Sequence, residues 1–132
     1  MILAIQTPNQ TTDLWLLPDE PQSAPLDHIQ WESGRELSSH LHQRILDLLA
    51  KHQLALGQLT GVLVFSGPGS FTSLRIGHTV ANALADSLGI PVVGATGEDW
   101  LEKAHHLVID APIGIPALPF YGSEAHITKP KS

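Results

Sequence analysis

Apolar stretches alternate with polar turns along most of the chain and predict a mixture of strands and helices. Short apolar runs bounded by Pro, Asn and Gly predict strands, and apolar residues three or four positions apart predict helices. The predicted strands cover residues 1–6, 12–17, 26–31, 61–65, 91–95 and 106–110. The predicted helices cover residues 35–53, 71–88 and 97–104.

The order of these elements predicts an α/β fold with a mixed sheet and flanking helices. Three strands come first with short connections, which favours antiparallel pairing. The later strands alternate with helices, which favours parallel pairing through right-handed crossovers. We therefore expect one domain over residues 1–110, followed by a Pro/Gly-rich tail over residues 111–132.

A glycine-proline turn separates the fourth predicted strand from the second long helix. One interpretation is a rigid corner, because Pro68 fixes its own φ between two flexible glycines, and Ser70 or Thr72 can cap the helix. The other is an anion site built from backbone N–H groups and the helix dipole. The turn lacks the endings of a P-loop and of a dinucleotide fingerprint, so its spacing names no ligand. The residues of this turn and its candidate phosphate contacts are Gly67, Pro68, Gly69, Ser70, Phe71, Thr72, Arg75 and Gly77.

The helix over residues 71–88 is unusually poor in charge. Arg75 and Asp86 are its only charged residues, so the face opposite the sheet is weakly polar and is expected to be covered. Gly77, Ala81 and Ala85 form a stripe of small residues that permits close approach of another helix. That helix belongs either to a partner or to the same chain, and both alternatives stay open here.

The segment Gly67-Pro68-Gly69-Ser70-Phe71-Thr72, followed by Leu74-Arg75-Ile76-Gly77, resembles the signature of the TsaB (YeaZ) family. Proteins of this family are the bacterial partners in the synthesis of N6-threonylcarbamoyladenosine (t6A) in tRNA. The order of the other segments agrees with the family over residues 1–110. The resemblance implies a ribonuclease-H-like fold, as in one half of an actin-like ATPase, in a short form without the second lobe of the family.

The resemblance also implies a non-catalytic scaffold or activator that dimerises with a TsaD-type enzyme through the helices 35–53 and 71–88. A TsaE-type ATPase is a second partner that it allows, and tRNA would be contacted only through the complex. The chain would have no cofactor of its own, and the resemblance allows ATP or ADP to bind at the partner interface. The isolated chain could form a homodimer through the same helices. The interface candidates are Leu41, Ile45, His78, Ala81 and Ala85.

Catalytic and metal-binding residues are not predicted. Gln6 stands where relatives commonly carry an acid after the first strand, and an amide is a poor ligand for Mg²⁺. Leu37 and Ser73 also depart from the family pattern. The serines near the turn lack the G-x-S-x-G pattern, and the eight histidines lack metal-ligand spacing. Two other functions remain open, a nucleotide- or phosphate-binding module and a self-associating structural protein.

Composition narrows the environment in which the chain works. A net charge of −6, from 13 acidic and 7 basic residues, argues against a general electrostatic grip on nucleic acid. Cysteine is absent, which fits a reducing compartment. No signal peptide or membrane-spanning run is recognised, so we expect a cytoplasmic protein without membrane contact.

Overall fold

The computed structural model describes residues 1–120 and contains a five-stranded mixed sheet in the order β3-β2-β1-β4-β5. The first three strands pair antiparallel, β4 pairs parallel with β1, and β5 pairs parallel with β4. This confirms the predicted α/β class and its early antiparallel part. The strands are β1 (Ile2–Gln6), β2 (Thr11–Leu17), β3 (Asp27–Glu32), β4 (Gly61–Phe65) and β5 (Val92–Ala95). The helices are α1 (Leu37–Lys51), α2 (Phe71–Leu88) and α3 (Trp100–Leu107), with 3₁₀ turns at Gly34–Glu36, Leu56–Gln58 and Val108–Asp110.

Alternate residues of the central strands supply two hydrophobic cores, one on each face of the sheet. In β1, Leu3 and Ile5 join the core beneath α1 and α2, whereas Ile2 and Ala4 join the core beneath α3. Both central strands are therefore covered on both faces, which explains why β1 and β4 read as continuous apolar runs rather than as alternating ones.

The prediction of a strand over residues 106–110 was wrong. Helix α3 continues to Leu107, and a 3₁₀ turn covers Val108–Asp110. Trp100, Ala104 and Val108 follow one another at helical spacing and are all buried against the sheet. Packing at this spacing overrides the strand propensity of Val108 and its neighbours.

Residues 111–120 return to the carboxyl end of the parallel strands. Ala117 is buried and exchanges two backbone-to-side-chain hydrogen bonds of 2.9 Å with Asn82 of α2. The Phe120 N–H donates to the Ser66 carbonyl over 2.6 Å. The rest of the predicted tail, residues 121–132, lies outside the described residues, and the domain limit at residue 110 stays a prediction.

Among residues 1–120, no helix is both long enough and apolar enough to cross a lipid bilayer.

Candidate functional site

The signature turn lies at the edge of the sheet where the parallel strands end. The Ser70 N–H donates to the Pro8 carbonyl in the loop after β1 over 2.7 Å. The Gly97 N–H, in the loop after β5, donates to the Gly67 carbonyl over 3.1 Å. Because the turn is tied to the loops that follow both neighbouring strands, it fixes the position at which α2 begins.

Gly69 is required by this close packing. A Cβ at this position would lie 2.6 Å from the Pro8 carbonyl oxygen and 2.9 Å from the Pro8 Cα. Both are backbone atoms, so neither can move aside without displacing the β1–β2 turn. The signature glycine is therefore explained by backbone contact within the chain, without any ligand.

The N–H groups that an anion would need at the start of α2 are partly engaged. Ser70 caps the helix, as predicted, by accepting a hydrogen bond from the Ser73 N–H over 3.4 Å. Its own N–H is bound to Pro8. The Arg75 guanidinium lies 5.5 Å from the centre of the exposed Phe71 ring, on the outer face of the helix. The predicted phosphate contact stays a prediction, and the turn itself is built as a corner.

The structure brings Ser66 and His78 together, which the sequence analysis did not foresee. The two side chains are buried, and the Ser66 Oγ lies 2.9 Å from the His78 Nε2. The His78 Nδ1 lies 2.7 Å from the Leu74 carbonyl oxygen, so Nδ1 carries the hydrogen and Nε2 accepts from the serine hydroxyl. Burial lowers the pKa of His78, although the hydrogen bond to Leu74 opposes that shift. The ring is held neutral.

This pair has the hydrogen-bond direction of a serine and its general base, yet its position favours a structural role. Ser66 is 4% exposed and His78 is 3% exposed, so little of the pair faces the cavity along β5 that Ser66 borders. The orienting group on Nδ1 is a backbone carbonyl rather than a carboxylate. The pair joins the end of β4 to the middle of α2. The sequence alone does not indicate this pair. The two residues meet only because α2 packs back against the end of β4.

The five interface candidates are placed inside the chain. Each is at most 3% exposed, and the two from α1 pack with Ala81 and Ala85 in one core. The small-residue stripe therefore faces the chain's own sheet and first helix, so a partner cannot reach it in this fold. Docking through α1 and α2 stays a prediction, but these side chains cannot form its surface. The buried candidates are Leu41, Ile45, His78, Ala81 and Ala85.

The opposite face of α2 forms an open groove with the start of α1. Its volume is about 420 Å³, and three residues of the signature segment, Phe71, Thr72 and Arg75, lie in its wall. Phe71 is 54% exposed and does not join the core beneath α2. We call this surface the helix groove. It is lined by Ser38, Phe71, Thr72, Arg75, Ile76, Thr79 and Val80.

The described residues do not assemble a metal site. Residues 1–120 contain no cluster of three or more His, Asp or Glu side chains suited to an ion. Gln6, at the end of β1, is half-buried and neutral. His105 is buried in α3, with its Nε2 2.8 Å from the Pro18 carbonyl oxygen, so it is engaged in a structural hydrogen bond.

Comparisons with known families and solved structures identify proteins that this chain resembles. Residues 32–119 match the family model described as TsaD, tRNA N6-adenosine threonylcarbamoyltransferase. The chain is 36% identical over 100 residues to the tRNA threonylcarbamoyladenosine biosynthesis protein TsaB of Bacillus subtilis, covering 76% of this chain and 42% of that protein. The YeaZ structure from Pseudomonas aeruginosa superimposes with a TM-score of 0.64 at 27% identity, covering 72% of this chain and 43% of that one.

The chain belongs to the TsaB (YeaZ) family. This confirms the resemblance carried by the signature turn. The chain is also 34% identical over 97 residues to the tRNA N6-adenosine threonylcarbamoyltransferase of Syntrophotalea carbinolica, covering 70% of this chain and 28% of that protein. It therefore spans less than half the length of these relatives.

A more distant protein shares the fold of this TsaB-family chain. The Thermus thermophilus RuvC structure superimposes with a TM-score of 0.52 at 15% identity, over 72% of this chain and 63% of that one. Such low identity shows the fold alone. Together with YeaZ, it confirms the predicted ribonuclease-H-like architecture.

Proposed function

We propose that this chain acts in t6A biosynthesis as a non-catalytic subunit that docks a TsaD-type enzyme on the helix groove. The observation that carries the proposal is the accessible face of α2, where Phe71, Thr72, Thr79 and Ala83 are exposed and Arg75 and Asp86 are the two charges. A helix that faced only water would carry a more polar surface.

The groove has the chemistry of a helix-docking surface. Ile76 and Val80 are half-buried along its floor, and Ser38 and Thr79 are small enough to let another helix approach closely. The exposed Phe71 ring at one end offers an aromatic anchor of the kind that dominates binding energy at interfaces. The partner in this proposal is a homologous TsaD-type enzyme, because the resemblance implies that pairing and residues 32–119, which include the helix groove, match the TsaD family model.

A non-catalytic role is supported by the residues at the end of β1 and in the turn after β4. Gln6 supplies no negative charge to a metal-bound nucleotide. The Ser66 hydroxyl is buried and engaged with His78, and the N–H groups of Ser70 and Ser73 are engaged within the turn. These features favour the docking proposal over a nucleotide- or phosphate-binding module. In this proposal, the chain contacts ATP or ADP, tRNA and a TsaE-type ATPase only within its complex with the TsaD-type enzyme.

Reconstitution with the TsaD-type enzyme of the same organism tests the proposal. We expect the two chains to co-elute, and omission of this chain to lower the rate of t6A formation in a purified reaction. Thr79→Arg places a long charged side chain in the groove and should weaken binding by about 100-fold. Ala50→Arg, at an exposed position near the other end of α1, is the matched control and should bind normally.

The outcomes distinguish whether the chain works with the enzyme from where it binds the enzyme. Equal rates with and without the chain would overturn the function. Co-elution that survives Thr79→Arg would retain the partner and reject the helix groove as its site.

A further inference from the structure

The outer edge of β5 is open to another strand. Among residues 1–120, β5 pairs only with β4. The carbonyls of Pro91 and Ala95 accept hydrogen bonds from the β4 side. Because the backbone groups of successive strand residues point alternately to the two sides, those of Val92 and Gly94 point outward. No described residue bonds to these outward groups, so they can accept and donate to an added strand.

The opposite edge of the sheet is less suited to such pairing. At the β3 edge, Asp27 Oδ2 lies 2.7 Å from His52 Nε2 and 3.0 Å from Lys51 Nζ. His28 Nε2 lies 2.6 Å from Asp13 Oδ2. Charged side chains on an edge strand oppose pairing with another chain. The four residues of β5 carry no charge and are all half-buried, so this edge lacks that protection.

A groove of about 610 Å³ runs along the open edge. It is lined by β5, by the last turn of α3 and by residues 111–120, and we call it the β5 groove. Its large apolar side chains are 46–76% exposed, which is more than a side chain packed within the chain would be. An extended segment in the groove can cover them with alternate side chains of its own. These exposed side chains are Leu107, Ile115, Leu118 and Phe120.

Carboxylates surround the β5 groove near the start of the strand. Asp86 lines an adjoining cavity of about 240 Å³ beside Val92. Asp19 and Glu20 line another, of about 540 Å³, at the same end of β5. Asp110 is exposed in the turn after α3. Of these four acids, only Asp19 forms an ion pair within residues 1–120, with the amino terminus.

Positive charge at the groove is already neutralised. Among the described residues that line it, Lys103 is the only basic one, and its Nζ lies 3.2 Å from Asp99 Oδ1. The unpaired acids therefore dominate the local charge, as the net charge of −6 dominates the chain. Such a rim attracts a positively charged occupant and disfavours an acidic one.

We propose that the β5 groove binds an extended, basic segment of another protein, which adds to β5 as a sixth strand. Its main chain bonds to Val92 and Gly94, its alternate apolar side chains cover the groove, and its lysines or arginines meet Asp86 and Asp110. The helix groove shares no residue with this surface. The chain can therefore hold this segment and its proposed enzyme partner together, and the two proposals are independent.

Fluorescence anisotropy with a labelled synthetic peptide tests the binding to the full chain. The probe alternates valine and threonine over about six residues, between pairs of lysines. We expect a dissociation constant on the order of 10 µM, and at least about tenfold weaker binding when glutamates replace the lysines. Asp86→Asn/Asp110→Asn should also weaken binding about tenfold. Glu36→Gln/Asp47→Asn removes the same charge from exposed positions around α1 and should bind as wild type.

Amide hydrogen exchange, followed by NMR, locates the contact. The lysine peptide should slow exchange at Val92 and Gly94 about tenfold or more, while Val93, whose N–H faces β4, serves as the internal reference. A peptide with proline at its centre should give no such protection, because proline has no N–H to donate.

Three results would overturn the proposal. They are no binding at about 1 mM peptide, equal binding of the lysine and glutamate peptides, and binding without protection of Val92 and Gly94. Thr79→Arg should bind the peptide as wild type does, and loss of binding in this variant would move the peptide to the helix groove and also overturn the proposal. Since the enzyme is absent from these measurements, their failure leaves the proposed enzyme docking untouched.

Discussion

The two faces of α2 carry similar small residues and yet lie in opposite environments. One face carries Gly77, Ala81 and Ala85, and the structure buries it within the chain. The other face carries Thr79 and Ala83 and is exposed. Small residues therefore indicate close packing without identifying the neighbour. In this chain Gly77, Ala81 and Ala85 face the chain's own core, whereas Thr79 and Ala83 face outward.

This difference changes what a mutation in α2 can reveal. A bulky residue on the inner face reports on folding, whereas the same residue on the outer face tests the proposed docking. Variants designed from the small-residue stripe would confuse the two, because loss of a partner would follow from loss of the fold.

The largest effect is expected from tryptophan at Ala81. The side chain of Ala81 is fully buried in the core beneath α1, so Trp would overpack that core by about 3 kcal/mol or more. Trp at Ala83, two residues further and exposed, should change the free energy of unfolding by less than about 0.5 kcal/mol. Urea unfolding of both variants checks the contrast. Equal stabilities would mean that the two faces are assigned wrongly.

A smaller loss is expected for Gly77→Ala. The new Cβ would collide with the Thr7 Oγ1, which donates a 2.7 Å hydrogen bond to the Ser73 carbonyl. The collision should cost about 1–3 kcal/mol, partly offset by the about 1 kcal/mol gained when Ala replaces Gly in a helix.

A double-mutant cycle with Thr7→Ala checks the cause of that loss. Removing the hydroxyl should make Gly77→Ala less costly than in the wild type, because the two residues are in contact. Strictly additive effects would reject the contact as the reason for the glycine. The outer-face variant Ala83→Gly serves as a reference, since it has the helix-propensity cost without the collision.

Local signals made the ends of α2 predictable. Ser70 is a strong N-cap residue and Gly89 follows the last turn, and the helix occupies residues 71–88 as predicted. The face of α2 that packs inside the chain was not predictable. At Gly77 this face is set by contact with Thr7, which is 70 positions away along the chain. The same limit hid the contact between Ser66 and His78. The end of α3 was wrongly predicted as a strand, because Val108 and Ile109 have strand propensity. Trp100 and Ala104 instead set a helical repeat.

The smallest effect concerns pH and again separates the inner face from the outer one. Burial lowers the pKa of His78 below its ordinary value of about 6.5, so the unfolded chain takes up this proton more readily than the folded chain. The stability contributed by the neutral ring is therefore fully present above about pH 6.5 and is lost as the pH falls towards the folded pKa. His78 is the only histidine of α2, so the outer face carries none.

Urea unfolding between pH 7.5 and pH 5 measures this loss, with His78→Gln as the test and Ser66→Ala as its control. His78→Gln removes the titrating group, so its stability should fall less steeply with decreasing pH than that of the wild type. Ser66→Ala removes the hydroxyl that His78 accepts from but keeps the buried ring, so its pH dependence should persist. If all three chains lose stability in parallel, other histidines cause the effect, and the neutral His78 at the centre of the inner face does not contribute to it.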